Sequence, residues 1–598
     1  MLLERNVRDL LARCLIGAIA LVASSACTIG NAPRNAAPAG GFAQSFAREA
    51  VATDHELASS AGAEMLRLGG NAVDAAVAAS FCLSVVRPHS CGIGGGGFMV
   101  IHLPDHNGNG HVDTALNYRE TCPRGIGPNY YTTLDADASR HGGSSVATPG
   151  TVAGLLTALE RYGTLDRATV MAPAIRAARD GFPADAAFVR AARDVHVAFD
   201  ERPELRRRFA FVWERYLLRG ALKIGDRIVN PEQARALELI ARDGASVFYH
   251  GEIARAIVDA VQSDGGALDE RDLAEFAVSE VKPLATTYRG RAILTMPPPS
   301  SGGLVLAQCF ATLEAAMREA DLATPWSADF THLYVEAMKH SFADRARWLA
   351  DPTFVDLPLA QLLDPAMLRR RAESIDWTHT SVLARYGWPG PSQAATPSTA
   401  ARRDDAGTSH ISVVDAHGGA VACTETVNLE FGSLLAVPGF GFLLNDEMDD
   451  FTTRRDASNA FGLRQSDDNV PAYGKRPLSS MMPTIVLDRE GRVEAVAGAS
   501  GGPRIISGTT QALLNVLFFD FSAADAVARQ RVHHQWLPDL LRCESGVSAQ
   551  LMEELAGRGH SIAPIEGVGD VQLIRRARSA AGWEAASDPR KGGSPAGR

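Results

Sequence analysis

Gly407-Thr408-Ser409-His410-Ile411-Ser412-Val413-Val414-Asp415 follows a polar, loop-like run and opens an alternating strand about two thirds of the way along the chain. Alternation puts successive side chains on opposite faces of a sheet. A cut before Thr408 would give the new terminus a hydroxyl nucleophile and, on the same residue, an α-amino group of reference pKa about 7.7–8.0 that can serve as its base. The preceding run, Trp388 to Gly407, is rich in Pro, Ser, Ala, Arg and Asp with weak periodicity, as suits an exposed loop that must separate at its end. After Ala416-His417-Gly418 a second alternating stretch, Ala420 to Asn428, predicts a hairpin. With a three-residue loop centred on His417 and Gly418 as its left-handed member, residues equidistant from His417 face each other, which sets Thr408 opposite Thr426. Two threonines selected only for strand propensity is the competing reading.

No long linker, repeat or low-complexity tract divides the 598 residues. Hydrophobic residues at 46% and charged residues at 21% fit a soluble globular enzyme and exclude a disordered chain. The net charge of −10 argues against nucleic acid or an anionic membrane as the main partner. At the N-terminus Arg5, Arg8 and Arg13 accompany the apolar run Cys14 to Ala23, followed by Ser24-Ser25-Ala26-Cys27, which reads as an export signal over residues 1–26. The run is too short for a stop-transfer helix. Small residues before Cys27 resemble a bacterial lipoprotein cleavage box, so two outcomes stay open: a lipid on Cys27 as first mature residue, or a soluble periplasmic protein. Cys82, Cys91, Cys122, Cys309, Cys423 and Cys543 show neither a Cys-x-x-Cys pair nor zinc-type His spacing; buried thiols are expected, and neither metal nor cofactor.

Earlier in the chain, Asp54 is placed to cap a helix with apolar Leu57, Ala61, Met65 and Leu68, and Asn71 to cap a second, very apolar helix from Ala72 to about Val86. The run Gly92-Ile93-Gly94-Gly95-Gly96-Gly97 formally contains a dinucleotide fingerprint, but a helix precedes it and the strand-like Phe98 to His102 follows, the reverse of what that motif requires. A second strand, Thr114 to Tyr118, leads into Arg119-Glu120; taken alone, Arg119 reads as a solvated strand end. Residues 151–350 are mainly helical around a strand at Arg291 to Met296. Asn445-Asp446-Glu447-Met448-Asp449-Asp450 gathers four acids, readable as a solvated turn or a calcium site, although EF-hand spacing is absent. Thr452 to Gly474 has the polarity and length of a lid. A strand from Glu494 to Gly498 runs into Ser500-Gly501-Gly502-Pro503-Arg504 and a helix, and consecutive glycine N–H groups at such a junction suit an oxyanion hole, a bare turn being the alternative. Neighbouring His533 and His534 point to opposite faces and receive no ligand role.

Taken in order, the glycine run Gly92 to Gly97, Thr408-Ser409-His410, Asn445 to Phe451, Pro477-Leu478-Ser479-Ser480-Met481, Gly501-Gly502 and Ala586-Ser587-Asp588-Pro589-Arg590-Lys591-Gly592-Gly593 resemble the γ-glutamyltransferases of the N-terminal-nucleophile hydrolase superfamily, from about residue 45 onward. The resemblance implies an α+β fold, a four-layer αββα sandwich, built as one composite domain by a large subunit, 27–407, and a small subunit, 408–598, that pair as a heterodimer after self-cleavage at Gly407–Thr408. It implies that Thr408 attacks the γ-carbonyl of glutathione or a related γ-glutamyl compound, that water or an amino acid or peptide accepts the group, and that Thr426 hydrogen-bonds the nucleophile. Gly501 and Gly502 would supply oxyanion donors. Arg119, Ser479 and Ser480 would hold the substrate α-carboxylate, and Asn428, Glu447 and Asp450 its α-ammonium. Phe461 stands where some bacterial relatives carry a lid tyrosine. Two other functions fit parts of the pattern: a cephalosporin or glutaryl acylase of the same fold, whose substrates lack the α-ammonium, and a non-catalytic periplasmic binding protein that would need no Thr408.

Overall fold

The computed structural model describes residues 41–104, 110–317, 324–388, 407–454, 457–578 and 581–598. The export signal, Cys27 and most of the polar run before Gly407 lie outside the described residues. The hairpin forms as the alternation predicts: Gly407–Val414 pairs antiparallel with Ala420–Asn428, and Thr408 faces Thr426. Gly418 takes φ +91°, a conformation a side chain would strain, and Asp415 accepts the N–H groups of His417 and Gly419 at 2.9 and 2.8 Å. The register shifts between Gly407 and Thr408, where Gly407 pairs with Asn428. A bulge therefore falls on the peptide bond that precedes the nucleophile candidate, and bulges re-aim side chains.

The hairpin is the centre of a seven-stranded antiparallel sheet, ordered Ala596–Gly597, Ala50–Ala52, Gly407–Val414, Ala420–Asn428, Gly96–Pro104, His111–Asn117, Ser279–Val281. Ile411, Val413, Val421 and Cys423 face one side, against a helical layer that includes Glu56–Arg67 and Ala72–Val86. Val414, Ala420 and Ala422 face the other, into a core shared with a second sheet. That sheet also has seven strands, ordered Ala43–Phe46, Trp583–Ser587, Asp570–Arg576, Val493–Ser500, Thr484–Leu487, Arg291–Thr295, Leu284–Tyr288, and it packs with the helices Gly302–Ala316, Ala328–Trp348 and Arg504–Leu517. The result is the α+β, four-layer arrangement of helices, sheet, sheet, helices. Each sheet takes strands from both sides of residue 407.

Asn71 caps the apolar helix with a reciprocal bond to Asp74, and all residues from Ala72 to Val86 are buried. Each of its Val, Leu and Phe side chains contributes about 1.5–3 kcal/mol of burial. At the helix before it, the cap is His55, not Asp54: His55 Nδ1 accepts the Leu57 N–H at 3.2 Å, because Asp54 is committed to Lys591 at 2.9 Å and Ser409 at 3.0 Å. Strands Ser279–Val281 and Leu284–Tyr288 escaped the sequence reading, being short and separated by Lys282-Pro283. The six described cysteines are buried free thiols. Among the described residues no helix is long and apolar enough to cross a membrane.

Candidate active site

Thr408 is 3% exposed, and its Oγ1 lies 3.1 Å from Thr426 Oγ1. The Thr426 hydroxyl donates to the Gly407 carbonyl and accepts the Asn428 N–H at 2.8 Å. A hydroxyl has one hydrogen, so the Thr408 O–H is left to donate to Thr426. The three groups form a directed chain, from Thr408 through Thr426 to the carbonyl on the other side of the bulge. Asn428 holds φ +77°, which asparagine tolerates better than most residues, and its side-chain amide donates to the Asp446 carbonyl at 3.0 Å. Beside Thr408, the Lys591 ammonium donates to the Thr408 carbonyl and to Ser500 Oγ at 3.2 Å. Burial alone would raise the Asp54 carboxyl, but Lys591 and Arg87 hold it below its ordinary value.

Gly501 and Gly502 take φ +120° and +57° between the strand Val493–Ser500 and the helix Arg504–Leu517. The Gly501 conformation requires glycine and that of Gly502 favours it, and the junction presents the positive end of a helix dipole. A Cβ on Gly502 would sit 2.9 Å from the Phe461 ring, so that ring rests on this glycine.

Thr408, Thr426, Asn428, Arg119, Glu447, Asp450, Ser479, Ser480 and Gly502 line one narrow cleft of about 20 Å³, with Phe461 and Leu463 beside them. Gly501 adjoins it through Gly502. The cleft brings together residues separated by more than three hundred positions. Arg119 is buried, not a solvated strand end; its guanidinium pairs with Glu447 and, at 2.6 Å, with Asp450, and its Nε donates to the Pro477 carbonyl at 3.2 Å. The cation expected beside Ser479 and Ser480 thus sits on the two acids expected to face an ammonium. Burial opposes the charge on Arg119, yet Glu447, Asp450 and Glu120 raise it above its ordinary value. Burial likewise pushes Glu447 and Asp450 up from the carboxylate range, Arg119 opposing.

The four acids at 446–450 are buried, which removes the solvated-turn reading. Asp446 accepts the Leu429 N–H at 2.9 Å, and Asp449 accepts Ser139 Oγ at 2.7 Å and Arg140 Nε at 3.1 Å. Asp450 Oδ1 accepts Asn459 Nδ2 at 2.9 Å. Sequence reasoning missed three charged neighbours. Glu120 lies 3.9 Å from Arg119, and burial pushes it to about 7. Arg345, held down to about 10 by burial with Asp450 opposing, comes from the last turn of a helix buried on nearly all sides, where nothing in the spacing marks it. Lys591 was visible only as part of the closing motif.

Two antiparallel sheets face to face between helical layers, with a hydroxyl residue at the start of a central strand in the cleft, define the N-terminal-nucleophile hydrolase class. Comparison with known proteins narrows this. The γ-glutamyltranspeptidase family model matches residues 58–598. The glutathione hydrolase proenzyme of Escherichia coli (strain K12) is 37% identical over 530 residues, 88% of this chain and 87% of that protein. The glutathione hydrolase proenzyme of Pseudomonas aeruginosa is 37% identical over 564 residues, 93% of this chain and 95% of that protein. Among solved structures, a cephalosporin acylase from Bacillus halodurans superposes with a TM-score of 0.80 at 24% identity, over 93% of this chain and 97% of that one, a likeness of fold. The chain belongs to the γ-glutamyltranspeptidase family.

Proposed function

We propose that the protein is a self-processing γ-glutamyltransferase that cleaves glutathione and related γ-glutamyl compounds. The observation behind this reading is the pairing of Arg119 with Glu447 and Asp450 in the cleft beside Thr408. A γ-glutamyl group carries an α-carboxylate and an α-ammonium on one carbon. Its entry exchanges ion pairs: the carboxylate takes Arg119, with Ser479 and Ser480, while the ammonium takes Asp450 and Glu447, with Asn428. No buried charge is left alone. A glutaryl group brings only the carboxylate, and would strip Arg119 from two buried acids at a cost of about 3–5 kcal/mol.

In the uncut chain, Thr408 Oγ1 attacks the Gly407 carbonyl, the carbon–nitrogen bond breaks, and the departing nitrogen takes the hydroxyl proton to become the free α-amine. The resulting ester is hydrolysed by water, which leaves a Gly407 carboxylate and restores the Thr408 hydroxyl. Thr426, already donating to the Gly407 oxygen, stabilises the charge that forms there. Gly407 is held without room for a side chain, since a Cβ would lie 2.3 Å from the Leu429 carbonyl. Gly407→Ala is expected to displace this carbonyl and slow processing by about tenfold or more, in keeping with the cost of misplacing a reacting atom; band ratios on a denaturing gel over time measure it, and cutting at the normal rate refutes it. In the mature site the Thr408 amine takes the hydroxyl proton as Oγ1 attacks the γ-carbonyl, and Gly501 and Gly502 N–H groups receive the oxyanion. The proton passes to the leaving amine, and water or an amino acid or peptide resolves the ester. We further read the product as exported, with a large subunit ending at Gly407 and a small one beginning at Thr408.

Turnover of γ-glutamyl and glutaryl p-nitroanilides tests the reading. The γ-glutamyl substrate is expected to be favoured by about 100-fold or more in kcat/KM, the equivalent of the unpaired-acid cost. Equal or preferred turnover of the glutaryl compound would reassign the protein to the acylases.

A further inference from the structure

Away from the cleft, the helix Ala328–Trp348 buries a second polar cluster. His332 and Glu336 are one turn apart and share a face, and His560 joins them from the turn that ends the helix Ala549–Gly557. That turn depends on Gly559 at φ +89° and on the His560 N–H bonding the Leu555 carbonyl at 3.2 Å. One ligand atom from each of His332, Glu336 and His560 lies within 4.8 Å of the others. The absence of zinc-type spacing in the sequence does not bear on such a set, because two of its members are more than two hundred positions apart.

His332 Nε2 sits 2.8 Å from the Asp376 carbonyl, which can only accept, so this nitrogen holds the hydrogen and Nδ1 presents a lone pair. That lone pair accepts a hydrogen bond from His560 Nε2 at 2.7 Å, and a metal takes both nitrogens once the His560 hydrogen moves to Nδ1, a buried atom with no other hydrogen-bond partner among the described residues. Orientation of one imidazole nitrogen by a backbone carbonyl is the usual support of a metal-ligating histidine. The Glu336 carboxylate is oriented in turn by the Tyr386 hydroxyl at 2.8 and 2.9 Å and by Thr380 Oγ1 at 2.6 Å. Burial keeps both imidazoles neutral, the form that binds metal: His332 is lowered, and His560, with His332 and Lys339 adding to burial, falls to about 2. Lys339 also faces the cluster, 3.7 Å from Glu336, but it has its own partners in Asp539 at 3.2 Å and Thr380 at 2.7 Å. His534 approaches Asp539 at 3.2 Å from the other side and, lowered by burial, adds no charge. Glu336 and Asp539 against Lys339 leave one net negative charge to meet a cation.

We propose that His332, Glu336 and His560 form a binding site for a zinc-class divalent transition metal. Two imidazole nitrogens and one carboxylate oxygen are a known zinc donor set, and tetrahedral bonds of about 2.0–2.2 Å place ligand atoms about 3.3 Å apart, which this cluster reaches by shifts of about 1 Å. His332 and Glu336 precede Gly407, and His560 follows Thr408. If the chain is cut there, as proposed above, the metal ties the two pieces together; binding itself does not rest on that reading.

The full-length protein, equilibrated with about 10 μM zinc chloride and desalted, is expected to retain about one zinc per chain by elemental analysis. His560→Ala and Glu336→Gln are each expected to lower zinc affinity by about tenfold or more. Cobalt(II) offered in place of zinc should give the intense visible bands of a tetrahedral site, lost in His560→Ala. Circular dichroism establishes that each variant is folded, and His560→Gln, closer in size, replaces any that is not. Wild-type protein without bound zinc, or zinc retained equally by wild type and His560→Ala, overturns the site. Neither readout uses glutathione turnover, so failure here leaves the function reading intact, and failure of that reading leaves the metal count unaffected.

Discussion

Thr408→Ala is expected to yield one uncut chain with glutathione hydrolysis reduced by about 10⁴-fold or more, the scale of losing a nucleophile. Three consequences follow from a single hydroxyl. Without Oγ1 the Gly407 carbonyl has no attacking atom, although the Thr426 donor remains in place. Without the cut there is no α-amine to act as base. Without both there is no acyl-enzyme. Wild-type protein should give two bands, with the smaller one starting at Thr408 by N-terminal sequencing. An alanine variant that is both cut and active would remove Thr408 from the mechanism. A wild-type chain that stays whole on prolonged incubation would favour a binding protein over an enzyme.

Arg119→Ala has the second largest expected effect, on substrate binding and not on the cut. Arg119 touches Glu447, Asp450 and the carbonyls of Pro477 and Leu478, none of which contacts Gly407. Processing should therefore proceed, while KM for glutathione rises by about 100- to 1,000-fold, the loss of a buried charge-assisted clamp worth roughly 3–4 kcal/mol. An unchanged KM would remove the clamp role. The same pairs set a pH dependence. Burial raises Glu447 and Asp450, so they hold protons to higher pH than free carboxyls do. A substrate ammonium needs them ionised; binding releases those protons, and KM falls as pH rises through their titration. Arg119 lowers both groups. In Arg119→Ala the titration moves upward, and the pH at which KM levels off moves with it.

The hairpin was legible because its information is local: alternation, a glycine at the turn and an odd loop length fix which residues face each other. The apolar helix at Ala72 was legible for the same reason, through its cap and its composition. The cleft was not readable in that way. Nothing near Arg119 in sequence says that Glu447 and Asp450 will lie against it, and resemblance to a family supplied the site residues. Resemblance still left Arg119 opposite the serines, whereas the fold sets it on Glu447 and Asp450, since a buried guanidinium takes the nearest carboxylates. Asp54 shows the converse failure: a residue well placed to cap a helix is drawn away by a lysine more than five hundred positions later. His332, Glu336 and His560 lay wholly beyond reach, because a spacing rule sees only ligands that are close along the chain.

Both central sheets weave strands from before and after residue 407. Before the proposed cut, the protein can unfold and refold as one molecule, at a rate independent of its concentration. Afterwards the two pieces share both sheets yet no covalent link, so refolding requires two chains to meet and becomes concentration-dependent. Catalytic competence would thus be acquired together with a loss of reversibility: the mature protein persists by the height of its unfolding barrier, and a molecule that crosses that barrier in dilute solution does not return.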